Sequence, residues 1–184
     1  MNILEQLKVD KSWTLFLDRD GVINLHFPKD YVKTWNEFFF LEGAIDAIKQ
    51  LTKQFGKIVV VTNQQGVGKG KMTEETLQNI HTNMMVEIEA AGGRIDSIYA
   101  ATSLESKDEF GLRKPKIGMA MQAQEDFPEI DFAKSVIVGD SITDMQFGRN
   151  AGMYTVFVSD KEDSDIVESL LVDFKINKLA DLVN

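Results

Sequence analysis

The sequence predicts an α/β fold, with a doubly wound, mostly parallel sheet that carries helices on both of its faces. Two observations lead to this prediction. Short apolar runs rich in β-branched residues alternate with segments of helical period, which is the pattern of βαβ units. Several of these runs are apolar at nearly every position, as expected for strands that are covered on both faces.

Six apolar runs predict the strands, and five groups of apolar residues at helical spacing predict the helices. The strands are Trp13–Leu17, Lys57–Val61, Ile95–Ala100, Ser135–Val138, Tyr154–Val158 and Val172–Ile176; the helices lie near residues 45–51, 77–88, 117–121, 145–151 and 166–171. Thr73 is a candidate N-cap for the longest helix, and Gly92 is placed to end it. Because no linker or repeat interrupts the pattern, we expect one domain over residues 1–184.

Charge and composition exclude several classes of protein. The net charge is -9 and the pI is about 4.7, which argues against nucleic-acid binding because affinity for the phosphate backbone needs clustered Lys and Arg. The chain has no cysteine, so disulfides and thiolate zinc sites are excluded. No stretch approaches the roughly 20 apolar residues of a membrane span, and the start lacks the pattern of a signal peptide. We expect a cytoplasmic protein.

A pair of carboxylates follows the first predicted strand. Asp18 and Asp20 flank Arg19 directly after this buried run. In extended chain two side chains two residues apart project to the same side, so the two acids can act on one ligand. A solvated turn is the alternative interpretation, but ligands of open α/β sheets bind outside the carboxyl ends of the strands, where Asp18 is predicted to lie.

A polar, glycine-rich segment follows the second predicted strand. Thr62, Asn63 and Gln64 offer a hydroxyl and two amides, and the loop Gly66–Lys71 includes the cation Lys69. Such a loop can bind a phosphate through backbone N–H groups and ammonium charge. It is not a P-loop, because Met72 follows Gly70-Lys71 where Ser or Thr is required. A surface loop without a ligand is the alternative.

Two further groups complete the candidate site. Arg113 and Lys114 precede Pro115 at a predicted helix start, where they either bind an anion or are simply solvated. Asp140 ends the fourth predicted strand, and Asp144 lies in the first turn of the next helix, where it can complement the helix dipole. If the strands are neighbours, their ends bring these groups together with Asp18. Carboxylate and carbonyl oxygens are suitable ligands for Mg²⁺.

These segments resemble, in the right order, the four motifs of the haloacid dehalogenase superfamily of phosphohydrolases, from about Trp13 to Val158. Asp18-Arg19-Asp20-Gly21-Val22-Ile23-Asn24, Thr62-Asn63-Gln64-Gln65-Gly66 and Arg113-Lys114-Pro115 are similar to the branch that contains D-glycero-D-manno-heptose 1,7-bisphosphate phosphatase and histidinol phosphatase. The resemblance implies a Rossmann-like fold of this superfamily. It also implies a phosphatase that forms a phospho-aspartate.

The resemblance assigns a role to each motif. Asp18 is expected to be the nucleophile, and Asp20 the acid that protonates the leaving oxygen and then activates water. Thr62 and Lys114 are expected to hold the phosphoryl group as catalytic residues, with substrate binding by Asn63, Gln64, Arg113 and Lys69. Mg²⁺ is expected on the Asp18 carboxylate, the Asp20 backbone carbonyl and Asp140, while Asp144 is expected to orient the metal surroundings or Lys114.

Two departures from the branch limit the expected specificity. The loop Thr102–Leu112 lacks the cysteines and histidine that bind a structural zinc in many members, so no zinc is expected. Ser141 follows Asp140, where the branch often has a basic residue. The histidines, His26 and His81, are interpreted as loop and helix-flank residues without a catalytic role.

The expected substrate is a small phosphorylated metabolite. No segment between the motifs is long enough for a separate cap domain, so the loops Leu25–Asn36 and Thr102–Leu112, with the glycine-rich loop, are expected to cover the site. Heptose 1,7-bisphosphate is placed ahead of histidinol phosphate, because the glycine-rich loop can take a second phosphate. A non-catalytic metal- or phosphate-binding module and a phosphotransferase are the alternatives. The oligomeric state is open, with a monomer as one expectation.

Overall fold

The computed structural model describes residues 2–28, 30–160 and 170–183. In these ranges six strands form one sheet, and five α-helices accompany it. The strands are β1 (Thr14–Leu17), β2 (Lys57–Asn63), β3 (Ser97–Ala101), β4 (Ser135–Gly139), β5 (Tyr154–Val158) and β6 (Phe174–Ile176). The helices are α1 (Ile3–Leu7), α2 (Ala44–Gln54), α3 (Glu74–Ala90), α4 (Gly118–Asp126) and α5 (Ile142–Ala151).

All neighbouring strands are parallel, and their order is β3-β2-β1-β4-β5-β6. The chain runs outward from β1 to β3, then returns to place β4 on the other side of β1. This reversal leaves a crevice at the carboxyl ends of β1 and β4, which is where doubly wound sheets bind their ligands. Asp18 and Asp140 follow these two strands.

The sheet is buried on both faces, and consecutive residues of a strand enter different cores. Leu15 and Leu17 pack in the cluster that includes α2 and α3, whereas Phe16 between them packs in the cluster that includes α4 and α5. This follows from the alternation of side chains along a strand. The two-layer covering confirms the predicted doubly wound fold, and the continuous apolar runs are its consequence.

Local signals place the ends of two helices. Thr73 caps α3, because its hydroxyl accepts a hydrogen bond from the Thr76 N–H at 3.1 Å. Ser141 and Asp144 form a capping box at the start of α5, so Asp144 has a structural role in addition to any chemical one. Gly152 follows α5 with a φ of 84°, the left-handed conformation that glycine adopts without strain.

Two features of the chain's ends depart from the sequence expectations. Helix α1 was not predicted; it is short and begins with a capping box in which Asn2 and Glu5 each bond the other's backbone N–H. The last predicted helix falls mainly on residues 161–169, which lie outside the described residues, and Leu170 and Leu171 after them form a turn.

Neither of the two long loops folds into a separate domain over the crevice in its described residues. Between β1 and α2, and again between β3 and α4, the described residues contain only a short 3₁₀ turn, so no separate cap domain is present there. Across the parts of the chain that the structure describes, we find no helix with the length and apolar character needed to span a membrane.

Candidate active site

A cavity of about 170 Å³ lies at the predicted crevice. Six of the predicted site residues line it, and residues of the loop Leu25–Asn36 and of the α5 start complete the wall. The lining residues are Asp18, Asp20, His26, Phe27, Asp30, Tyr31, Val32, Thr62, Asn63, Lys114, Asp140, Ser141 and Thr143. The walls are therefore rich in carboxylates and hydrogen-bonding groups, which suits a small charged ligand rather than an apolar one.

Lys114 joins two of the carboxylates. Its ammonium lies 2.8 Å from Oδ1 of Asp18 and 2.6 Å from Oδ1 of Asp144, and it also donates to the Val61 carbonyl at 2.8 Å. Burial alone would lower the pKa of Lys114, but the charges of Asp144 and Asp18 outweigh burial and raise it. Lys114 therefore stays a cation inside the protein and can face an anionic group in the cavity.

Asn63 fixes the segment that carries Lys114. Its carbonyl oxygen accepts from the Lys114 N–H at 3.0 Å, and its amide donates to the Lys114 carbonyl at 3.2 Å. These two bonds connect the end of β2 to a residue 51 positions further along the chain. The hydrogen bonds to the Lys114 backbone thus account for the orientation of the Asn63 side chain, and Asn63 also lines the cavity.

Asp18, Asp140 and Asp144 form an acidic cluster in which one oxygen of each lies within 4.8 Å of the others. Burial raises the pKa of Asp18 to about 8; Lys114 opposes this shift, and the charges of Asp144 and Asp140 add to it. Burial and the Asp144 charge likewise raise the pKa of Asp140. The cluster has more negative charge than Lys114 neutralises, and a divalent cation would relieve the excess.

The side chain of Asp20 lies in a different network from that of Asp18. Arg19 Nη2 is 3.0 Å from both carboxylate oxygens, Asn24 donates at 2.8 Å and Gln64 at 2.7 Å. Burial would raise the pKa of Asp20, but the Arg19 charge and these donors outweigh it and hold the pKa below its ordinary range. Asp20 is therefore a fixed carboxylate beside the nucleophile candidate.

Three residues predicted to bind substrate are not part of the cavity lining. Gln64 is fully buried, and its amide donates to Asp20 and to the Thr62 hydroxyl, so the structure places it behind the cavity wall. Arg113 is half-buried and is not part of the lining. Lys69 lies at the rim, where its ammonium is 3.2 Å from the hydroxyl of the lining residue Tyr31.

The loop Thr102–Leu112, expected to cover the site, contributes no residue to the cavity lining. It is organised by Asp108, whose carboxylate accepts from the Leu112 N–H at 2.8 Å and from Lys116 Nζ at 3.0 Å. Burial would raise the pKa of Asp108, but the Lys116 hydrogen bond and two backbone donors outweigh it and lower the pKa. Asp108 thus supports the backbone directly before Lys114.

Sequence reasoning missed two histidine contacts. His26 lines the cavity with Nδ1 3.4 Å from Asp140 Oδ2. His81 was expected at a helix flank, but it lies buried within α3 and contacts Arg19. The signal for His81 was its spacing, four residues after Leu77 and three before Met84, which places it on the apolar face. His26 carried no comparable signal, because loop positions have no period.

Comparison with known proteins identifies the family of the chain. The family model for polynucleotide kinase 3 phosphatase matches residues 14–176. A D-glycero-alpha-D-manno-heptose-1,7-bisphosphate 7-phosphatase of Mycobacterium bovis is 39% identical over 139 residues, covering 76% of this chain and 73% of the relative. A D-glycero-beta-D-manno-heptose-1,7-bisphosphate 7-phosphatase of Escherichia coli K12 is 36% identical over 176 residues, 91% of this chain and 90% of the relative.

The fold has a close counterpart among solved structures. The D,D-heptose 1,7-bisphosphate phosphatase of B. bronchiseptica, solved in complex with magnesium and phosphate, superposes with a TM-score of 0.82 at 29% identity. The match covers 93% of this chain and 96% of the other. The chain belongs to the polynucleotide kinase 3 phosphatase family and is a phosphatase of the haloacid dehalogenase superfamily, related to the heptose-1,7-bisphosphate 7-phosphatases.

Proposed function

We propose that this phosphatase removes the 7-phosphate of D-glycero-D-manno-heptose 1,7-bisphosphate through a phospho-aspartate on Asp18, with Mg²⁺ as cofactor. The observation that carries the proposal is the Asp18 carboxylate, which lies beside Lys114 in a cavity that Asp20 also lines. Curated relatives at 33–39% identity that bear heptose bisphosphate phosphatase names support the substrate. A cytoplasmic location, a monomeric state and a single domain remain predictions from the sequence.

In the first step an Asp18 oxygen forms a bond to phosphorus as the bond from phosphorus to the sugar oxygen breaks. Asp20 gives that oxygen a proton, and the sugar leaves as an alcohol. A dianionic phosphate beside Asp20 would raise the pKa of this carboxyl, which favours the protonated form that the step needs. The Lys114 ammonium neutralises charge on the phosphoryl oxygens, and the Thr62 hydroxyl donates a hydrogen bond to them.

In the second step a water attacks the phospho-aspartate, and Asp20, now a carboxylate, accepts its proton. The bond between phosphorus and the Asp18 oxygen breaks, which releases inorganic phosphate and restores Asp18. The hydrogen bonds to Asp20 from Arg19, Asn24 and Gln64 favour the carboxylate form required here. The same group thus serves both steps in opposite protonation states.

The donors present fit Mg²⁺, because this ion prefers hard oxygen ligands and keeps several waters. Asp18 and Asp140 line the cavity and have raised pKa values, and with the Asp20 backbone carbonyl they would hold the ion. The fully buried Asp144 is engaged by Lys114 and Ser141, so we assign it the orientation of Lys114. Bound there, the ion would supply positive charge for the phosphoryl oxygens and keep Asp18 ionised.

The rim supports a substrate with a second phosphate. Lys69 and Lys71 place their ammonium groups 5.6 and 5.5 Å from the centre of the Tyr31 ring, at the edge of the cavity. Asp30 neutralises part of this charge, since Lys71 lies 3.1 Å from it. Two lysines beside a sugar-sized cavity can bind the anomeric phosphate, whereas histidinol phosphate has no second phosphate to offer them.

A phosphorylated nucleic acid is an alternative substrate that the family's name suggests. The net charge of -9 argues against it, because a polynucleotide would approach an acidic surface. Histidinol phosphate remains the alternative among small metabolites, and transfer of the phosphoryl group to an acceptor other than water remains the alternative reaction.

The test is phosphate release from heptose 1,7-bisphosphate, histidinol phosphate, other sugar phosphates and a 3′-phosphorylated oligonucleotide, with Mg²⁺ and with EDTA. Wild type is compared with Asp18→Asn, which keeps the shape of the side chain but removes the attacking charge. We expect the highest kcat/KM for the heptose bisphosphate, dependence on Mg²⁺, and a loss of about a thousandfold or more in the variant. If another substrate has a higher kcat/KM, that substrate replaces the heptose bisphosphate in the proposal. Full activity of Asp18→Asn would exclude Asp18 as the nucleophile. Product analysis separates hydrolysis from transfer.

A further inference from the structure

A buried arginine lies between the two motif-one aspartates. Arg19 has no solvent exposure and is the largest fully buried side chain in the part of the protein that the structure describes. Removing a guanidinium from water costs several kcal/mol unless charged and hydrogen-bonding partners replace the water. The residues that contact the Arg19 guanidinium therefore indicate the role of this buried charge.

The guanidinium is held from two sides. Nη2 donates to both oxygens of Asp20 at 3.0 Å, and Nη1 lies 3.1 Å from Nε2 of His81 on α3. The Phe38 ring lies 5.9 Å from its Cζ and covers one face. The Arg19 Nε has no hydrogen-bond partner among the described residues, so Asp20 and His81 together determine how the group is oriented.

The contact with Arg19 defines the state of His81. A guanidinium can only donate, so His81 Nε2 must accept, which requires a neutral ring with its proton on Nδ1. Burial, followed by the Arg19 charge, lowers the pKa of His81 to about 3, in agreement with a neutral ring. His81 is therefore a fixed acceptor, set on a 17-residue helix that packs in the main core.

We propose that His81 is a positioning residue that acts through Arg19 to hold the Asp20 carboxylate in the orientation needed for proton transfer to the leaving oxygen. The proposal rests on the proposed function of Asp20. Among the described residues, Arg19, Asn24 and Gln64 donate to Asp20, and of these Arg19 alone is charged and bonds both carboxylate oxygens. Without the His81 acceptor, Arg19 would bury a further donor without a partner and would reorient, carrying Asp20 with it.

Two substitutions separate the acceptor from the volume of the ring. His81→Phe keeps an aromatic ring in the core but removes the acceptor. His81→Gln restores an acceptor oxygen on a side chain of similar reach. Thermal unfolding of both variants identifies any loss of folding, and both are assayed below their midpoints.

A comparison of two substrates distinguishes a defect in proton transfer from a general loss of active-site structure. Heptose 1,7-bisphosphate releases an alkoxide that needs a proton, whereas para-nitrophenyl phosphate releases a phenolate that is stable as an anion. Because kcat/KM reports steps up to departure of the leaving group, we expect His81→Phe to lose about 10- to 100-fold on the sugar and less than about threefold on the aryl ester. His81→Gln should recover most of the loss. Equal losses on both substrates, or no recovery with Gln, would overturn the proposal.

Two measurements do not depend on activity. Two-bond proton–nitrogen NMR correlations of wild type should show His81 protonated on Nδ1 and bare on Nε2; a proton on Nε2 would exclude the bond to Arg19. A crystal structure of His81→Phe should show that Asp20 has moved, and an unmoved carboxylate would exclude the positioning role. If wild type hydrolyses neither substrate, the proposed function fails, while these two results still decide whether His81 positions Asp20.

Discussion

The Lys114 ammonium lies 2.8 Å from the Asp18 carboxylate, although the two residues are 96 positions apart in the chain. The contact depends on the sheet, because Asp18 follows β1 while Lys114 is bonded through its backbone to Asn63 at the end of the neighbouring β2. Lys114 also lies 2.6 Å from Asp144. Lys114, which belongs to the third motif, therefore contacts residues of the other three motifs.

Removal of this cation should damage both stability and activity. Lys114→Met leaves Asp18 and Asp144 buried without their counter-ion, so we expect the free energy of unfolding to fall by about 3–5 kcal/mol. We also expect kcat to fall by about 100-fold or more, through loss of charge at the phosphoryl group. Urea unfolding and steady-state kinetics measure the two effects.

Lys116→Met is the matched control for this substitution. The Lys116 side chain is 55% exposed, while its partner Asp108 is only 3% exposed. Without Lys116 the Asp108 carboxylate still accepts from the N–H groups of Leu112 and Arg113, so we expect a smaller loss of stability than for Lys114→Met and little change in kcat. If the two variants lost similar stability, the buried position of Lys114 would not be the cause of its importance.

Stability without Mg²⁺ should depend on the ionisation of Asp18. Its pKa is about 8 in the folded protein against an ordinary 3.8, so the folded state binds the proton more tightly. The resulting stabilisation is complete below about pH 3.8 and is lost as the pH rises toward 8. We therefore expect Asp18→Asn, which does not titrate, to gain stability relative to wild type across this range.

Thermal unfolding in EDTA, from pH 4.5 to 8.5, measures this difference between wild type and Asp18→Asn. With Mg²⁺ the difference in stability between the two proteins should shrink or reverse, because the ion stabilises the carboxylate form of Asp18, whereas an asparagine at this position has no charge to bind it. A difference that does not vary with pH in EDTA would show that Asp18 ionises normally in the folded protein.

Gly21 should be required for the position of Asp140. Its φ is +85°, and a Cβ placed there would lie 2.0 Å from Asp140 Oδ2. Gly21→Ala should therefore displace Asp140 and weaken the apparent Mg²⁺ affinity by about tenfold or more, since removal of a ligand or its support has effects of this order. Titration of activity with Mg²⁺ measures this effect.

Gly70→Ala provides the control for backbone strain. Gly70 also has a positive φ, +69°, but a Cβ there meets nothing within 4 Å. Both variants bear the cost of a left-handed alanine, about 1–2 kcal/mol, so only the clash with Asp140 differs. Equal effects of the two substitutions on Mg²⁺ affinity would contradict the role of Gly21.

The rim lysines should distinguish substrates with one phosphate from those with two. Lys69→Met with Lys71→Met should raise KM for heptose 1,7-bisphosphate by about 5- to 20-fold, because two charges beside the anomeric phosphate are lost. KM for heptose 7-phosphate should change by less than about twofold. Added salt should weaken the wild-type preference for the bisphosphate, and an equal rise of KM for both substrates would remove the lysines from this role.

The sequence alone determined the strands, most helices and several of the residues that line the crevice. Buried parallel strands appear in the sequence as continuous apolar runs, and ligands bind at the carboxyl ends of such strands. The sequence therefore sufficed to place Asp18, Thr62 and Asp140 at the crevice. Glycine and capping residues act locally, which is why Thr73 and Gly92 marked the two ends of α3 correctly: Thr73 caps its start, and Gly92 follows its C-cap with a φ of 89°. These signals depend on neighbours within a few residues.

Only the tertiary structure decided which polar side chains line the cavity and which are buried behind it. Gln64 and Arg19 lie at the carboxyl ends of β2 and β1, as Thr62 and Asp18 do, yet both are buried behind the cavity and contact Asp20. The pairing of Arg19 with His81 joins residues 62 positions apart. A long polar side chain can point toward the ligand or into the core. Its orientation depends on hydrogen-bonding and charged partners from elements distant in sequence, because a buried charge is stable only where such partners surround it.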